Sequence, residues 1–273
     1  MTSSSKRAVI TQSSIAVTLT DNRRFAMIYV IFRLLLVFIL IIVVMFTAII
    51  PALILRLIGL GKLGDRLVFW HAAVIANFCL FLAGVRVHVS GNVEAIRERV
   101  KKGEGFCFVS NHTSILDIIL MLGQLRARAG FVAKRELLFV PFLNVLIAMT
   151  HSVFINRKNL KKSVEAIRKA TDNIKKGHSM VIFPEGTRSK TGEIAPFKHG
   201  SFRLATESGA YVVPLTVKGV RDSFEGRKRI FQVRDAYLHV GDPLIAPDPK
   251  DREKVSAFVG EIENSIKDTY SKL

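Results

Sequence analysis

The chain has 273 residues, of which 49% are hydrophobic and 23% charged, and its formal net charge is +18 at pH 7. Such a basic chain favours polyanionic partners, and its mean hydropathy of +0.32 is high for a wholly soluble protein. Cys79 and Cys107 lie in apolar runs, and no Cys/His cluster has metal-ligand spacing, so neither an oxidising compartment nor a structural metal is indicated.

The N-terminal region is predicted to associate with a membrane. Residues 1–22 are polar and predicted to be a disordered tail. Residues 34–55 then run for 22 positions without a charge, which is enough to cross a bilayer, and a second apolar run covers residues 67–85. We expect residues 23–84 to form a helix pair that spans the bilayer as a hairpin or enters one leaflet; a single span and two buried core helices are the alternatives. Basic residues on both sides of the first run place both ends on the cytoplasmic side.

From residue 85 onward, short β-rich runs alternate with helical patterns. Apolar residues recur at helical spacing over residues 160–174 and 255–266. Strands alternating with helices predict an α/β domain over residues 85–273. The seven candidate strands cover residues 85–89, 105–110, 130–133, 152–155, 180–183, 212–217 and 236–240.

A histidine and an aspartate five positions apart follow the second predicted strand. Residues Ser114 to Asp117 match a capping box, so a helix is expected to start near Thr113 or Ser114. Positions five apart on a helix differ by about 140°, so His112 meets Asp117 only if it precedes the helix and folds back over its first turn. Asp117 would then accept a proton from one ring nitrogen and leave the other as a base. The alternative is that Asp117 only caps the helix and His112 is structural.

Further motifs are assigned to the ends of other predicted strands. They are expected to converge on one edge of the sheet, although a solvated surface charge is the alternative for any single basic residue. A histidine base beside such cations indicates an enzyme that deprotonates an alcohol on a phosphate-bearing substrate. The motifs are Lys134 with Glu136, Phe154-Ile155-Asn156-Arg157, Phe183-Pro184-Glu185-Gly186-Thr187-Arg188 and Val213-Pro214-Leu215.

These segments, in this order, resemble the four motifs of the glycerolipid acyltransferases, most closely the bacterial 1-acylglycerol-3-phosphate (lysophosphatidate) acyltransferases. The resemblance covers residues 80–245, and the preceding apolar pair is similar to that group's two-helix membrane motif. It implies a central mixed β-sheet flanked by helices behind an N-terminal two-helix anchor. It also implies acyl transfer from acyl-CoA or acyl-carrier protein to lysophosphatidate, giving phosphatidate, at the cytoplasmic face of the bacterial inner membrane.

The resemblance also implies roles for individual residues. The family often has Asp where this chain has Asn156, and we expect no direct role for Asn156. No cofactor or metal is expected, because the acyl thioester is a co-substrate. The implied roles are base for His112 and orienting group for Asp117; acceptor-phosphate binding for Arg157, Arg188 and Lys134; acceptor positioning for Glu185, Gly186 and Thr187; and proximity to the acyl donor for Pro214.

The chain lacks a Gly-x-Ser-x-Gly elbow, and neither cysteine has polar neighbours, so we expect direct attack of the hydroxyl on the thioester within a ternary complex. Three alternatives remain open. The acceptor is instead lyso-ornithine lipid or another lysophospholipid; the chain is a membrane-anchored module that binds anionic lipid or nucleic acid; or it is a membrane-bound esterase. Nucleic acid is not expected, because no helix-turn-helix is recognisable and one Trp and four Tyr offer few stacking platforms.

Overall fold

The computed structural model describes residues 31, 35, 38–40, 42–140, 143–156, 159–221 and 234–273. The chain divides into two compact units, Met1–Pro51 and Ala52–Leu273. The predicted tail over residues 1–22 lies outside the described residues. The sheet, the candidate site and every contact discussed below belong to the second unit.

Two apolar helical segments are long enough to cross a membrane. The first, Phe38–Leu57, has 20 residues and contains a π-helical turn at Met45–Ile49 and helix α1 at Ile50–Leu57. The second is helix α2, Gly61–Leu82, with 22 residues. Large apolar side chains of α2 face outwards, among them Trp70 at 62% and Phe78 at 53% exposure. This exposure is typical of a helix that meets lipid, and it does not fit the alternative of a buried core helix.

Eight described strands form one sheet. All seven predicted strands are present with ends shifted by at most two residues, and a short eighth strand follows them. The strands are β1 (Val85–Gly91), β2 (Phe106–Ser110), β3 (Ala129–Lys134), β4 (Val153–Ile155), β5 (Ser179–Ile182), β6 (Tyr211–Lys218), β7 (Arg234–Val240) and β8 (Leu244–Ile245).

Helices flank the strands. The two longest of these helices, Leu160–Lys175 and Arg252–Lys272, begin at side-chain caps. Asn159 accepts from the Lys162 amide at 3.0 Å, and Asp251 accepts from the Lys254 amide at 3.0 Å. Short 3₁₀ helices cover Arg135–Phe139 and His199–Phe202. The α-helices are α3 (Val93–Lys101), α4 (Leu116–Gln124), α5 (Leu143–Met149), α6 (Leu160–Lys175), α7 (Arg203–Ser208) and α8 (Arg252–Lys272).

The strand order is β1-β7-β6-β2-β5-β3-β4, with β8 added against β6. Strands β6, β2, β5, β3 and β4 are mutually parallel, whereas β7 runs antiparallel to β6. The sheet is therefore mixed, as expected, and five strands bring their carboxyl ends to the same edge. This edge is called the catalytic edge below, and the one opposite it the far edge.

The core has two layers, one on each face of the sheet. Along β2 the side chains alternate, so Phe106 and Phe108 enter one layer with residues of α2, α3 and α4. Cys107 and Val109 enter the other layer with residues of α6, α7 and α8. Every residue of β2 is buried, which is why this strand reads as an uninterrupted apolar run.

Candidate active site

The candidate site begins where β2 ends. Asn111, the first residue after the strand, is fully buried. Its side-chain amide donates to the Val217 carbonyl at 2.8 Å, and its side-chain oxygen accepts from the Val217 amide at 2.9 Å. This two-bond pairing continues the contact between β2 and β6 beyond the last backbone pair, and it fixes the chain immediately before His112.

His112 and Asp117 are in direct contact. The Nδ1 atom of His112 lies 2.8 Å from Oδ2 of Asp117, and the Asp117 side chain is completely buried. The same oxygen accepts the backbone N–H groups of Thr113 at 2.7 Å and Ser114 at 2.9 Å. Because three donors converge on one carboxylate oxygen, Nδ1 carries the proton of the neutral ring and Nε2 is left with a lone pair.

The helix begins later than the capping box predicts. Helix α4 starts at Leu116, and the Ser114 hydroxyl accepts from the Leu116 amide at 3.0 Å, not from the Asp117 amide. The reciprocal contact, from the Ser114 amide to Asp117, is present. His112 therefore lies before the helix, which is the position that lets it fold back onto Asp117.

Glu185 is directed into the protein. It is 2% exposed, and its two carboxylate oxygens accept the backbone N–H groups of His112 at 2.6 Å and Ala195 at 3.1 Å. Burial raises the pKa of this carboxyl group, and the two N–H donors oppose that shift. Both oxygens hold backbone, including that of the candidate base, so the expected role of Glu185 in positioning the acceptor stays a prediction.

The rest of the turn after β5 surrounds the His112 ring. Phe183 stacks on the ring, with centroids 4.0 Å apart and planes at 19°. The Ser189 amide donates to the His112 carbonyl at 2.8 Å. Neither contact was predicted from the sequence. The available signal was that Phe183 and Ser189 follow β5 and His112 follows β2, because these two strands are parallel neighbours.

Gly186 is required by its backbone conformation and by its neighbour. Its φ is +76°, and a Cβ atom at this position would lie 2.8 Å from Nζ of Lys198. Any side chain here would strain the turn and displace the lysine. Lys198 therefore adds an ammonium group beside the turn, a residue that the motif comparison did not select.

The cationic residues expected at the catalytic edge are only partly described. Lys134 ends β3, is exposed, and lies 3.5 Å from the Glu136 carboxylate. Thr187 and Arg188 are exposed in the turn after β5. Arg157, which follows β4, lies outside the described residues. The parallel arrangement of β2, β5 and β3 places His112, Arg188 and Lys134 on one edge.

Pro214 is not at that edge. It lies within β6, where it is buried and paired in register with Val109 of β2, and its carbonyl accepts from the Gly241 amide at 2.9 Å. The expectation that Val213-Pro214-Leu215 marks a strand end is therefore wrong. The motif is a segment of a buried central strand, β6. This strand pairs with β2, the strand that His112 follows.

A second polar cluster lies at the far edge. His151 and His178 precede β4 and β5, their rings stack at 3.7 Å, and their ligand atoms and that of Asp65 in α2 lie within 4.8 Å of one another. The donor set is of a kind that binds transition metals. However, the Arg56 guanidinium donates to Asp65 at 2.6 Å and His151 Nε2 lies 3.0 Å from its other oxygen, so the carboxylate is already neutralised by protein groups.

The part of the chain that carries the site is similar in sequence to known proteins. A family model described as "Acyltransferase" matches residues 86–218, which include all the described motif residues. A 1-acyl-sn-glycerol-3-phosphate acyltransferase of Borreliella burgdorferi is 29% identical over 180 residues, covering 66% of this chain and 70% of that protein. The Saccharomyces cerevisiae protein of the same name is 28% identical over 67% of this chain and 61% of its own length.

The fold is also found in a solved structure. The crystal structure of the 1-acyl-sn-glycerophosphate (LPA) acyltransferase PlsC from Thermotoga maritima superimposes with a TM-score of 0.62 at 25% identity. The similarity covers 87% of this chain and 96% of that one. It therefore extends beyond the sheet to most of the flanking elements.

Proposed function

The chain belongs to the acyltransferase family through residues 86–218, and from this premise we propose that it transfers a fatty acyl group from a thioester to the sn-2 hydroxyl of 1-acylglycerol-3-phosphate, giving phosphatidate. The observation that carries the proposal is the hydrogen bond between His112 Nδ1 and Asp117 Oδ2 at the catalytic edge. It leaves Nε2 as a base beside the turn that carries Arg188.

In the proposed mechanism, Nε2 of His112 takes the proton of the acceptor hydroxyl as its oxygen attacks the thioester carbonyl. The new C–O bond forms, the C–S bond breaks, and the proton passes from the imidazolium to the departing thiolate. Asp117 holds the ring and stabilises the imidazolium, while Glu185 fixes the backbone of residue 112. The thioester supplies the driving force, so the proposal needs no cofactor.

Direct transfer is favoured over an acyl-enzyme. Burial raises the pKa of Cys107 to about 12, and this thiol lies inside β2. A thiol that is protonated and sealed in the core has no access to a thioester. The donor is acyl-CoA or acyl-carrier protein, and the acceptor phosphate is bound by Arg188, Lys134 and Arg157.

The two apolar helices support a membrane location for the reaction. We propose the cytoplasmic face of the bacterial inner membrane, where basic residues on both sides of the first helix would retain its ends. Lipid acceptor and lipid product would then enter and leave the catalytic edge from the bilayer.

The test is an acyl-transfer assay with the purified full-length protein. Lysophosphatidate, lyso-ornithine lipid and a lysophospholipid with a larger headgroup are each offered with palmitoyl-CoA or palmitoyl-acyl-carrier protein. Lipid chromatography and thiol release measure the products. We expect phosphatidate from lysophosphatidate; exclusive use of another acceptor, or fatty acid release without an acceptor, would contradict the proposal.

His112→Ala is expected to lower turnover by about 10²–10⁴-fold, the usual contribution of a general base, while the protein remains folded. His239→Ala is the matched control, because His239 is half-buried on β7 and its Nδ1 contacts the Ser90 hydroxyl at 3.0 Å, outside the site. Circular dichroism confirms folding of both variants. Retained turnover in His112→Ala would remove the base assignment.

A further inference from the structure

A cavity of about 810 Å³ lies between α2 and α4, on the face of the sheet opposite to α6 and α8. Its wall is mainly apolar and is buried on the side of α4 and β3, whereas the side formed by α2 is more exposed. Cavities of this size commonly hold a ligand of several hundred daltons. The wall residues include Phe69 and Val74 of α2, Met121 at the end of α4, Leu125, and Phe131 of β3.

This cavity is separate from the candidate catalytic centre. It is lined by Ala129, where β3 begins, and so opens at the far edge. His112 follows the carboxyl end of β2 at the catalytic edge. Helix α4 connects the two places, with Asp117 in its first turn and the cavity at its last; nine helical residues span about 13 Å.

Positive charge surrounds the cavity opening. Arg66, Lys101 and Arg126 are exposed lining residues, and Arg128 is half-buried. Within the part of the chain that the structure describes, neither the Arg66 nor the Arg126 side chain forms an ion pair or a hydrogen bond. No carboxylate is among the lining residues. Lys101 pairs with Glu98, which lies outside the lining, at 2.5 Å, so Arg66 and Arg126 are the cations of the opening that a bound anion would neutralise.

The backbone conformation at the opening is unusual. Arg126 and Arg128 have φ values of +50° and +42°, a left-handed conformation that side-chain-bearing residues rarely adopt. Ala127 between them is 3% exposed and forms part of the apolar wall. The strained turn thus keeps two guanidinium groups next to one buried methyl group, and such strain is concentrated at functional sites.

We infer that this cavity binds an anionic phospholipid of the membrane, with one acyl chain between α2 and α4 and the phosphate on Arg66 and Arg126. An apolar wall under an opening where Arg66 and Arg126 have no acidic partner among the described residues is complementary to a lipid with a negative headgroup. The cavity is also continuous with the outward face of α2, since Trp70 both lines the cavity and is 62% exposed. A lipid can therefore enter from the bilayer surface.

The chain provides its own probe for this site, because Trp70 is its only tryptophan. The full-length protein in neutral detergent micelles is titrated with phosphatidylglycerol carrying a dibrominated acyl chain, and quenching of Trp70 fluorescence is measured. Phosphatidylcholine with the same chains is the comparison. We expect saturable quenching by the anionic lipid at several-fold lower concentration than by the zwitterionic one.

Charge variants test the recognition. One cation beside an anionic headgroup contributes roughly fivefold in affinity, so Arg66→Gln/Arg126→Gln should weaken binding of the anionic lipid about 10- to 30-fold. Arg252→Gln, an exposed cation at the start of α8 that does not line the cavity, should bind as the unmodified protein does. Circular dichroism confirms that all variants are folded.

Three outcomes would overturn the inference. The first is equal quenching by the two lipids. The second is unchanged affinity in the double variant. The third is stoichiometric displacement of the brominated lipid by a non-transferable palmitoyl-CoA thioether, since the cavity would then hold the acyl chain of the donor. Fluorescence reports binding without turnover, so the result is independent of the proposed acyl-transfer activity.

Discussion

His112 and Asp117 show how a short sequence spacing becomes a catalytic geometry. Five positions apart, they would point in different directions on a continuous helix. They meet because α4 begins only at Leu116, so His112 remains outside it. The condition for contact was predicted from the sequence, whereas the later helix start, at Leu116 instead of Thr113 or Ser114, depends on how the backbone amides bind Asp117.

A second residue-scale effect is the pH dependence expected from His178, which stacks on His151 at the far edge. Burial, together with the charge of the neighbouring His151, lowers the pKa of His178. Between its lowered folded value and its ordinary unfolded value near 6.5, the unfolded chain binds more protons. The free energy of unfolding must therefore fall as the pH falls through about 6.5, and it levels off below the folded pKa.

His178→Phe is expected to remove this contribution while keeping a ring against His151. Chemical unfolding in neutral detergent at pH 5, 6, 7 and 8 measures the effect. The unmodified protein should lose more stability than the variant on acidification. Parallel pH profiles for the two proteins would contradict the assignment of the acid sensitivity to His178.

Other residues of the site were beyond sequence reasoning. The Glu-Gly-Thr-Arg turn was recognised, but its glutamate points inwards and holds the backbone of His112. No pattern in a single sequence tells which way a turn side chain is directed, because that depends on amides from distant segments such as Ala195. Arg157 lies outside the described residues, so its role in binding phosphate stays a prediction.

At the scale of elements, the side chain of Asn111 extends the hydrogen bonding between β2 and β6 by one position. It forms two buried hydrogen bonds to Val217 where no backbone pair is available. Asn111→Ala would leave a buried N–H and a buried carbonyl without partners, and we expect it to lower the free energy of unfolding by about 2–4 kcal/mol. Denaturant titration followed by circular dichroism measures the loss.

Asn92→Ala provides the comparison for Asn111→Ala. The Asn92 side chain also donates a hydrogen bond to a residue distant in sequence, Asp242, but this hydrogen bond is exposed at the surface. Water replaces the lost partner there, so the change should stay below about 1 kcal/mol. Equal losses in the two variants would show that the Asn111 contact contributes no more than a surface bond.

The strands were predicted because each is a short apolar run bounded by Gly, Ser or a charge. Helices α6 and α8 were predicted from their helical spacing. Helix α3 was not singled out although Val93, Ile96 and Val100 are buried on one face, because its nine residues hold too few apolar positions to establish a helical spacing. Strand β8 has two residues, too few to show alternation, and exists only because it pairs with β6.

For the whole molecule, charge and hydropathy together anticipate a protein at a membrane surface. The outward face of α2 carries Phe78, which is 53% exposed. Phe78→Asp places a charge on this face, and a carboxylate at the bilayer centre costs about 2.5–3.5 kcal/mol. We expect this variant to be released from membranes by an alkaline carbonate wash in a larger fraction than Phe78→Leu, as measured by immunoblotting of pellet and supernatant.

Equal retention of the Asp and Leu variants would mean that Phe78 does not face lipid. A lower total yield of Phe78→Asp is corrected by normalising each supernatant to its own pellet. The comparison therefore reports partition and not expression. Because α2 also lines the cationic cavity, a helix that stays in the membrane keeps that cavity at the bilayer surface.

The pairing of β1 with β7 has a consequence for biosynthesis. Val85 of β1 is in register with Arg234 of β7, so the strand that follows the membrane helices finds its partner only after about 140 further residues have been made. At typical elongation rates of about 5–20 residues per second, β1 waits roughly 7–30 s beside the ribosome with an open hydrogen-bonding edge. A nascent chain of this protein is thus most vulnerable to mispairing late in translation, and a chaperone that shields this edge would raise the yield of native enzyme.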